Sequence, residues 1–207
     1  GPKTKAAESR NLSNAEQSRV FESAKDFFDN GKKIDQSLDG VLSSNEDAVR
    51  QIAWKAYLAS TRHQNLKADF DKNQVTHEKH LSPYTVKRVG RKPKAGWPIF
   101  IAMHGGGGVP KAVNDAGWAT MKQYYRDQPT VEGYLYVALR APNDVWNGFY
   151  DHYMCPLTIH LIRQFVLFAE ADPNKVFIMG YSHGGYGAFY IGPKIPDRFA
   201  AIHALRQ

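Results

Sequence analysis

The hydrophobic pattern changes character once along the chain. In the first third, apolar positions recur at helical spacing. Val20, Phe21, Ala24, Phe27 and Phe28 fall at i, i+1, i+4, i+7 and i+8 and make one stripe. Ser13-Asn14-Ala15-Glu16 has the form of a capping box and Gly31 that of a stop, so a helix is predicted from the box to about Asn30. Val49, Ile52, Ala53, Ala56 and Tyr57 make a second stripe, with Ser43-Ser44-Asn45-Glu46 read as its capping box. Further on, the apolar residues come in continuous runs: Pro98–Met103, Tyr134–Ala141 and Val176–Met179. Such runs mark strands covered on both faces. Strands are also read at Tyr84–Val89 and Phe199–His203, and helices at about 111–125 and 156–171. This alternation predicts an α/β domain with a mostly parallel sheet and helices on both faces. The expected boundaries are a mobile polar N-terminus over residues 1–12, a helical extension over 13–75 and the α/β domain over 76–207.

Two of the strands end in sequences that carry chemistry. Val176–Met179 runs into Gly180-Tyr181-Ser182-His183-Gly184-Gly185, a G-x-S-x-G-G motif followed by the small-residue start of a helix. A serine there sits on a sharp strand-to-helix turn with its hydroxyl exposed, and small residues two before and two after it relieve the backbone crowding. Pro98–Met103 runs into His104-Gly105-Gly106-Gly107-Gly108. A glycine run at the end of a central strand lets backbone N–H groups approach a substrate oxygen. No G-x-x-x-x-G-K-[ST] pattern accompanies the glycines, which argues against a phosphate-binding loop.

On these motifs, residues from about Tyr84 to His203 resemble the first two-thirds of an α/β-hydrolase. Within that superfamily the chain is similar to esterases related to polyhydroxybutyrate depolymerases and feruloyl esterases. The matching stretches are His104–Gly108, Arg140–Asn147, Asp172–Val176 with the elbow, and Pro196–Ala201. The resemblance implies a serine hydrolase of carboxylic esters, with Ser182 as nucleophile and backbone donors from Gly106, Gly107 and His183. His104, Gly105, Trp146 and Asn147 are the expected substrate-binding residues, and no cofactor or metal is called for. A prolyl-oligopeptidase-like peptidase shares the G-x-S-x-G-G-Y form, and a non-catalytic binding or scaffold fragment is the other alternative. In this fold the acid and the histidine of the triad follow the serine. Asp197 and His203 are the acid and histidine after Ser182, and neither stands where the triad needs it. The triad partners are therefore expected beyond residue 207, in a completing C-terminal segment or a second chain.

Composition narrows the partners. A net charge of +7 is carried in short runs such as Lys87-Arg88 and Arg91-Lys92-Pro93-Lys94, which suit solvated turns, so no nucleic-acid partner is expected. No apolar run approaches the roughly 18 residues of a membrane span. His77-Glu78-Lys79-His80 lacks the H-E-x-x-H spacing and is read as surface rather than as a metal site. The single Cys155 excludes an intrachain disulfide and fits any compartment, which the sequence leaves open. Gly1-Pro2 has the form of a protease-cleavage scar. The N-terminal helices suit a cover for the core, a cap near the site or a homo-oligomer surface, and the sequence does not choose among them.

Overall fold

Side-chain alternation in three neighbouring strands sets the two faces of the central sheet. The computed structural model describes residues 11–124 and 132–205. Within it β3 (Trp97–Met103) lies between β4 (Gly133–Leu139) and β5 (Ala171–Tyr181), parallel to both. Ile99, Ile101 and Met103 of β3 and Leu135, Val137 and Leu139 of β4 face one side. There they pack against α6 (Met154–Phe168) and α7 (His183–Lys194), through Leu157, Leu161, Phe165, Ala188 and Ile191. Phe100, Ala102, Tyr136 and Ala138 face the other side, where α5 (Lys111–Lys122) supplies Trp118 and Met121. Both faces are apolar, which is why these strands read as unbroken runs in the sequence.

Among the described residues the sheet has six strands in the order β1-β2-β4-β3-β5-β6, with β1 (Gln74–His77), β2 (His80–Gly90) and β6 (Ala201–Leu205) completing it. β1 and β2 form an antiparallel hairpin, β2 runs antiparallel to β4, and the remaining pairs are parallel. The hairpin turn is Glu78-Lys79, with Glu78 at φ 52 and His77 opposite His80. His77 packs on His160 and His80 stacks on Tyr153 with ring centroids 3.7 Å apart, so these histidines are half-buried rather than surface residues. Among the described residues no group of three or more His, Cys, Asp or Glu is placed to hold a metal. No described helix is long and apolar enough to cross a membrane.

The chain divides into two compact units, Gly1–Gln64 and Asn65–Gln207. The division precedes residue 75 because Phe70, on α4 (Gln64–Asp71), packs against Phe165 and Phe168 of the sheet unit. In the first unit α1 (Asn14–Asn30) begins at Ser13 with a complete capping box and ends at Gly31 in the left-handed conformation. Val20, Leu38 and Ile52 form its small core. Ser43 and Ser44 do not cap α3 (Glu46–Leu58); they end a short helix of their own, α2 (Asp39–Ser44), where both hydroxyls bond to the Gly40 carbonyl. Competition from this local side-chain bonding defeats the second capping box. The expected mobile stretch 1–12 falls almost wholly outside the described residues.

Leu161 is fully buried between α6 and the sheet. Leu161→Ala is expected to destabilise the protein by about 2–5 kcal/mol in urea unfolding, through lost transfer energy and a residual cavity. Phe189→Ala, at a position 69% exposed, is expected to change stability by less than about 0.5 kcal/mol.

Candidate active site

Ser182 stands between β5 and α7 with φ 51 and ψ −113, a backbone conformation that residues with a side chain rarely adopt. The turn is held by close backbone packing. A Cβ on Gly180 would lie 2.0 Å from the Gly184 carbonyl oxygen, and one on Gly184 would lie 2.2 Å from the Met103 carbonyl oxygen. Both positions therefore require glycine. The first intrahelical bond of α7 runs from Tyr186 N–H to the Ser182 carbonyl at 3.1 Å. The N–H groups of His183, Gly184 and Gly185 have no acceptor within the helix, as at any helix start.

The glycine run lies against this turn. A Cβ on Gly105 would stand 3.0 Å from the Tyr181 ring and 3.5 Å from Ser182 Cβ. Gly106 and Gly107 have φ 131 and 108, in the region reserved for glycine. A Cβ on Gly107 would meet the His183 ring at 3.0 Å and the Trp146 ring at 3.3 Å. The two motifs, Ser182 with His183 and Gly105 to Gly107, thus share one end of the sheet, at the C-terminal ends of β5 and β3.

The histidines of both motifs are held by backbone. His104 is fully buried; Nε2 accepts from Ala141 N–H at 3.1 Å, so the proton sits on Nδ1, which donates to the Gly105 carbonyl at 2.7 Å. Neither ring nitrogen is left for a substrate, and His104 ties the glycine loop to the end of β4. His183 Nε2 donates to the Trp146 carbonyl at 2.8 Å, and its Nδ1 is buried without a partner. Burial lowers both pKa values, that of His104 to about 4, so both imidazoles are neutral near pH 7. Ser182 Oγ has no hydrogen-bond partner among the described residues.

Trp146 lies beside the loop, 61% exposed, in an aromatic group with Tyr150 and Tyr186. The Asn147 amide donates to Asp151 at 2.7 Å. His203 is exposed and pairs with Met179 in β6, while Asp197 lies before the start of β6 and is bonded to Arg198. Ser182 follows the end of the parallel β5, so Asp197 and Ser182 stand at opposite ends of the sheet.

One buried residue here carries no motif. Asn114, on α5 and 1% exposed, accepts the Gly107 N–H and donates to the Gly107 carbonyl, each at 2.9 Å. Its second N–H donates to Asp144 at 2.9 Å, and the Val109 carbonyl shares the amide nitrogen at a longer 3.3 Å. Asp144 is bonded in turn to the buried Arg140, whose Nε donates to Asp115 at 3.0 Å. Burial raises the Asp144 pKa, but the bonds from Arg140 and Asn114 outweigh it and hold the carboxylate ionised. Gly117, one turn after Asn114, lets α5 press on the loop, since a Cβ there would lie 2.6 Å from the Gly105 carbonyl oxygen. The only sequence signal for Asn114 is its place on the helical stripe with Gly117, Trp118 and Met121, where apolar residues belong.

No protein-family model and no curated protein matches the sequence. Among solved structures the chain is similar to a thermostable esterase at 22% identity and TM-score 0.45, over 66% of this chain and 40% of that one. It is similar to the enterobactin esterase of Shigella flexneri at 15% identity and TM-score 0.46, over 62% of this chain and 34% of that one. The acetyl xylan esterase of Aspergillus awamori is matched at 19% identity and TM-score 0.42, over 64% and 50%. The fold is a mixed six-stranded sheet, among the described residues, with helices on both faces. The chain spans from 34% to 50% of the length of these three proteins. In this fold a strained serine and a glycine loop occupy neighbouring strand ends.

His104 sets a pH dependence whose sign is determined. Its folded pKa is about 4 against 6.5 for the ordinary imidazole, so below pH 6.5 the unfolded chain binds a proton that the folded chain refuses. Its effect is nil above about pH 6.5, and stability is lost as pH falls from there to about 4, by up to roughly 3 kcal/mol from this group. Urea unfolding at pH 7 and pH 4.5 measures the loss, and His104→Asn is expected to flatten it. Gly184→Ala is expected to disrupt the serine turn, read as loss of thermal stability, because its methyl has no room beside Met103.

Proposed function

We propose that this chain carries the nucleophile and oxyanion-binding elements of a serine hydrolase acting on carboxylic esters. The observation that carries the reading is Ser182 at φ 51 on the strand-to-helix turn, with Gly105 packed against it. Strain at one residue over-determined by its surroundings is a recurrent property of reactive groups. In the reaction, Ser182 Oγ attacks the ester carbonyl and a base takes its proton. The oxyanion is met by the His183 N–H at the start of α7 and by an N–H of the glycine loop, and collapse expels the alcohol to leave an acyl-enzyme. Water then releases the acid. Each such donor is worth about 2.7–4 kcal/mol to the transition state.

The Gly107 N–H is engaged by Asn114, which favours Gly106 as the loop's donor. His104 and His183 are unsuited as the base: the nitrogens of His104 are bonded to backbone, and His183 Nδ1 is enclosed. The base and its acid partner come, on this reading, from outside the described residues. The exposed ring of Trp146 beside Gly107 and Gly108 is suited to a substrate group, whereas Asn147 has its amide committed to Asp151.

At its natural full length the protein is expected to hydrolyse p-nitrophenyl acetate, and Ser182→Ala to reduce kcat/KM by at least about 10³-fold. A fluorophosphonate is expected to add one phosphonyl group, located on Ser182 by peptide mass spectrometry. Residues 1–207 alone are expected to show little turnover. Turnover no higher than the uncatalysed background at natural full length, with no labelling of Ser182, would decide for a non-catalytic binding fragment.

A further inference from the structure

We infer that Asn114 is a positioning residue of the oxyanion site, fixing the glycine loop so that the Gly106 N–H, and not that of Gly107, meets the developing charge. The inference rests on the serine-hydrolase reading and goes beyond it by assigning a residue outside both motifs. Three observations support it. First, the carboxamide brackets Gly107 by bonding both peptides that flank it, accepting from the Gly107 N–H and donating to the Gly107 C=O at 2.9 Å each. A loop with φ 131 and 108 at successive glycines is otherwise free to flip these two peptides, because glycine adopts either sign of φ. Second, Asn114 Oδ1 lies where a Cβ of Gly106 would be, 2.1 Å from it, so the amide and the glycine backbone are fitted to one another. Third, the amide is itself fixed: Nδ2 also donates to Asp144, which Arg140 holds while bonding the Ala141 and Asn143 carbonyls.

Such a residue touches neither the ester nor Ser182. It acts by keeping a donor aimed at the position the oxyanion will take, and that kind of alignment enters the transition state more than the ground state. Its removal should therefore lower kcat and leave KM nearly unchanged. A misplacement of about 1 Å in such a site is worth up to about 10²-fold in rate.

The test uses the protein at its natural full length with p-nitrophenyl acetate. Asn114→Ala is expected to lower kcat by about 10- to 100-fold with KM within about twofold, and to speed hydrogen exchange at the Gly107 amide. Asn114→Asp keeps the shape and the acceptor for Gly107 N–H, but its carboxyl lies beside Asp144 and stays protonated, and able to donate, only at lower pH. The ratio of its kcat to that of the unaltered protein is expected to fall as pH rises from 5 to 8, a trend that mere support of the fold would not produce. This variant also serves if Asn114→Ala fails to fold. A kcat ratio near one and independent of pH, or unchanged Gly107 exchange in a folded Asn114→Ala, overturns the inference while Ser182→Ala still abolishes turnover. Turnover that survives Ser182→Ala overturns the hydrolase reading and this inference with it.

Discussion

Everything at the site depends on one backbone contact, between Gly184 in the first turn of α7 and the Met103 carbonyl at the end of β3. No side chain fits in that gap. The contact draws the helix start down onto the central strand, and the chain leaving β5 must then reverse within one residue. Ser182 absorbs that reversal at positive φ. The apolar layers of α6 and α7 against the sheet supply the free energy that holds the strained residue in place, as burial of large side chains outweighs a strain of about 1–3 kcal/mol. The same contact brings the glycine loop, which continues from β3, to the level of the serine.

A second constraint sits on the opposite face. α5 crosses the glycine loop with Gly117 against Gly105 and Asn114 against Gly106 and Gly107, while His104 ties the loop to β4 from beneath. The loop is consequently enclosed by three elements that contribute backbone or an amide, and by the His183 ring, which keeps Trp146 in register through its carbonyl. Neutral imidazoles suit this task. Each presents a donor to a carbonyl without bringing a charge into a buried layer.

Much of this was legible in the sequence, for identifiable reasons. Strands covered on both faces must be apolar at every position, so β3, β4 and β5 announce themselves by composition alone. Glycines two residues either side of a serine are demanded by sterics local to the turn. Ser13 and Glu16 cap α1 through contacts within four residues. What the sequence hid was set by distant neighbours. Asn114 resembles any polar helix residue until the loop it clamps is in place. Ser43 and Ser44 fit a capping box, yet a nearby carbonyl at Gly40 captures both hydroxyls. His104 stands beside the glycines and reads as a substrate contact, but the Ala141 N–H, 37 residues on, claims its free nitrogen.

The order of strands in the sheet also bears on how the molecule comes into being. β3 emerges from the ribosome before either of its partners, and its pairings to β4 and β5 close loops of several tens of residues. The β1–β2 hairpin, by contrast, can form from adjacent residues at once. Non-local parallel pairing is slow because the loop entropy is lost before the contacts are gained. The most apolar strand of the molecule therefore spends the longest time without a partner, and that interval, rather than the stability of the finished sheet, sets the chain's exposure to aggregation during synthesis.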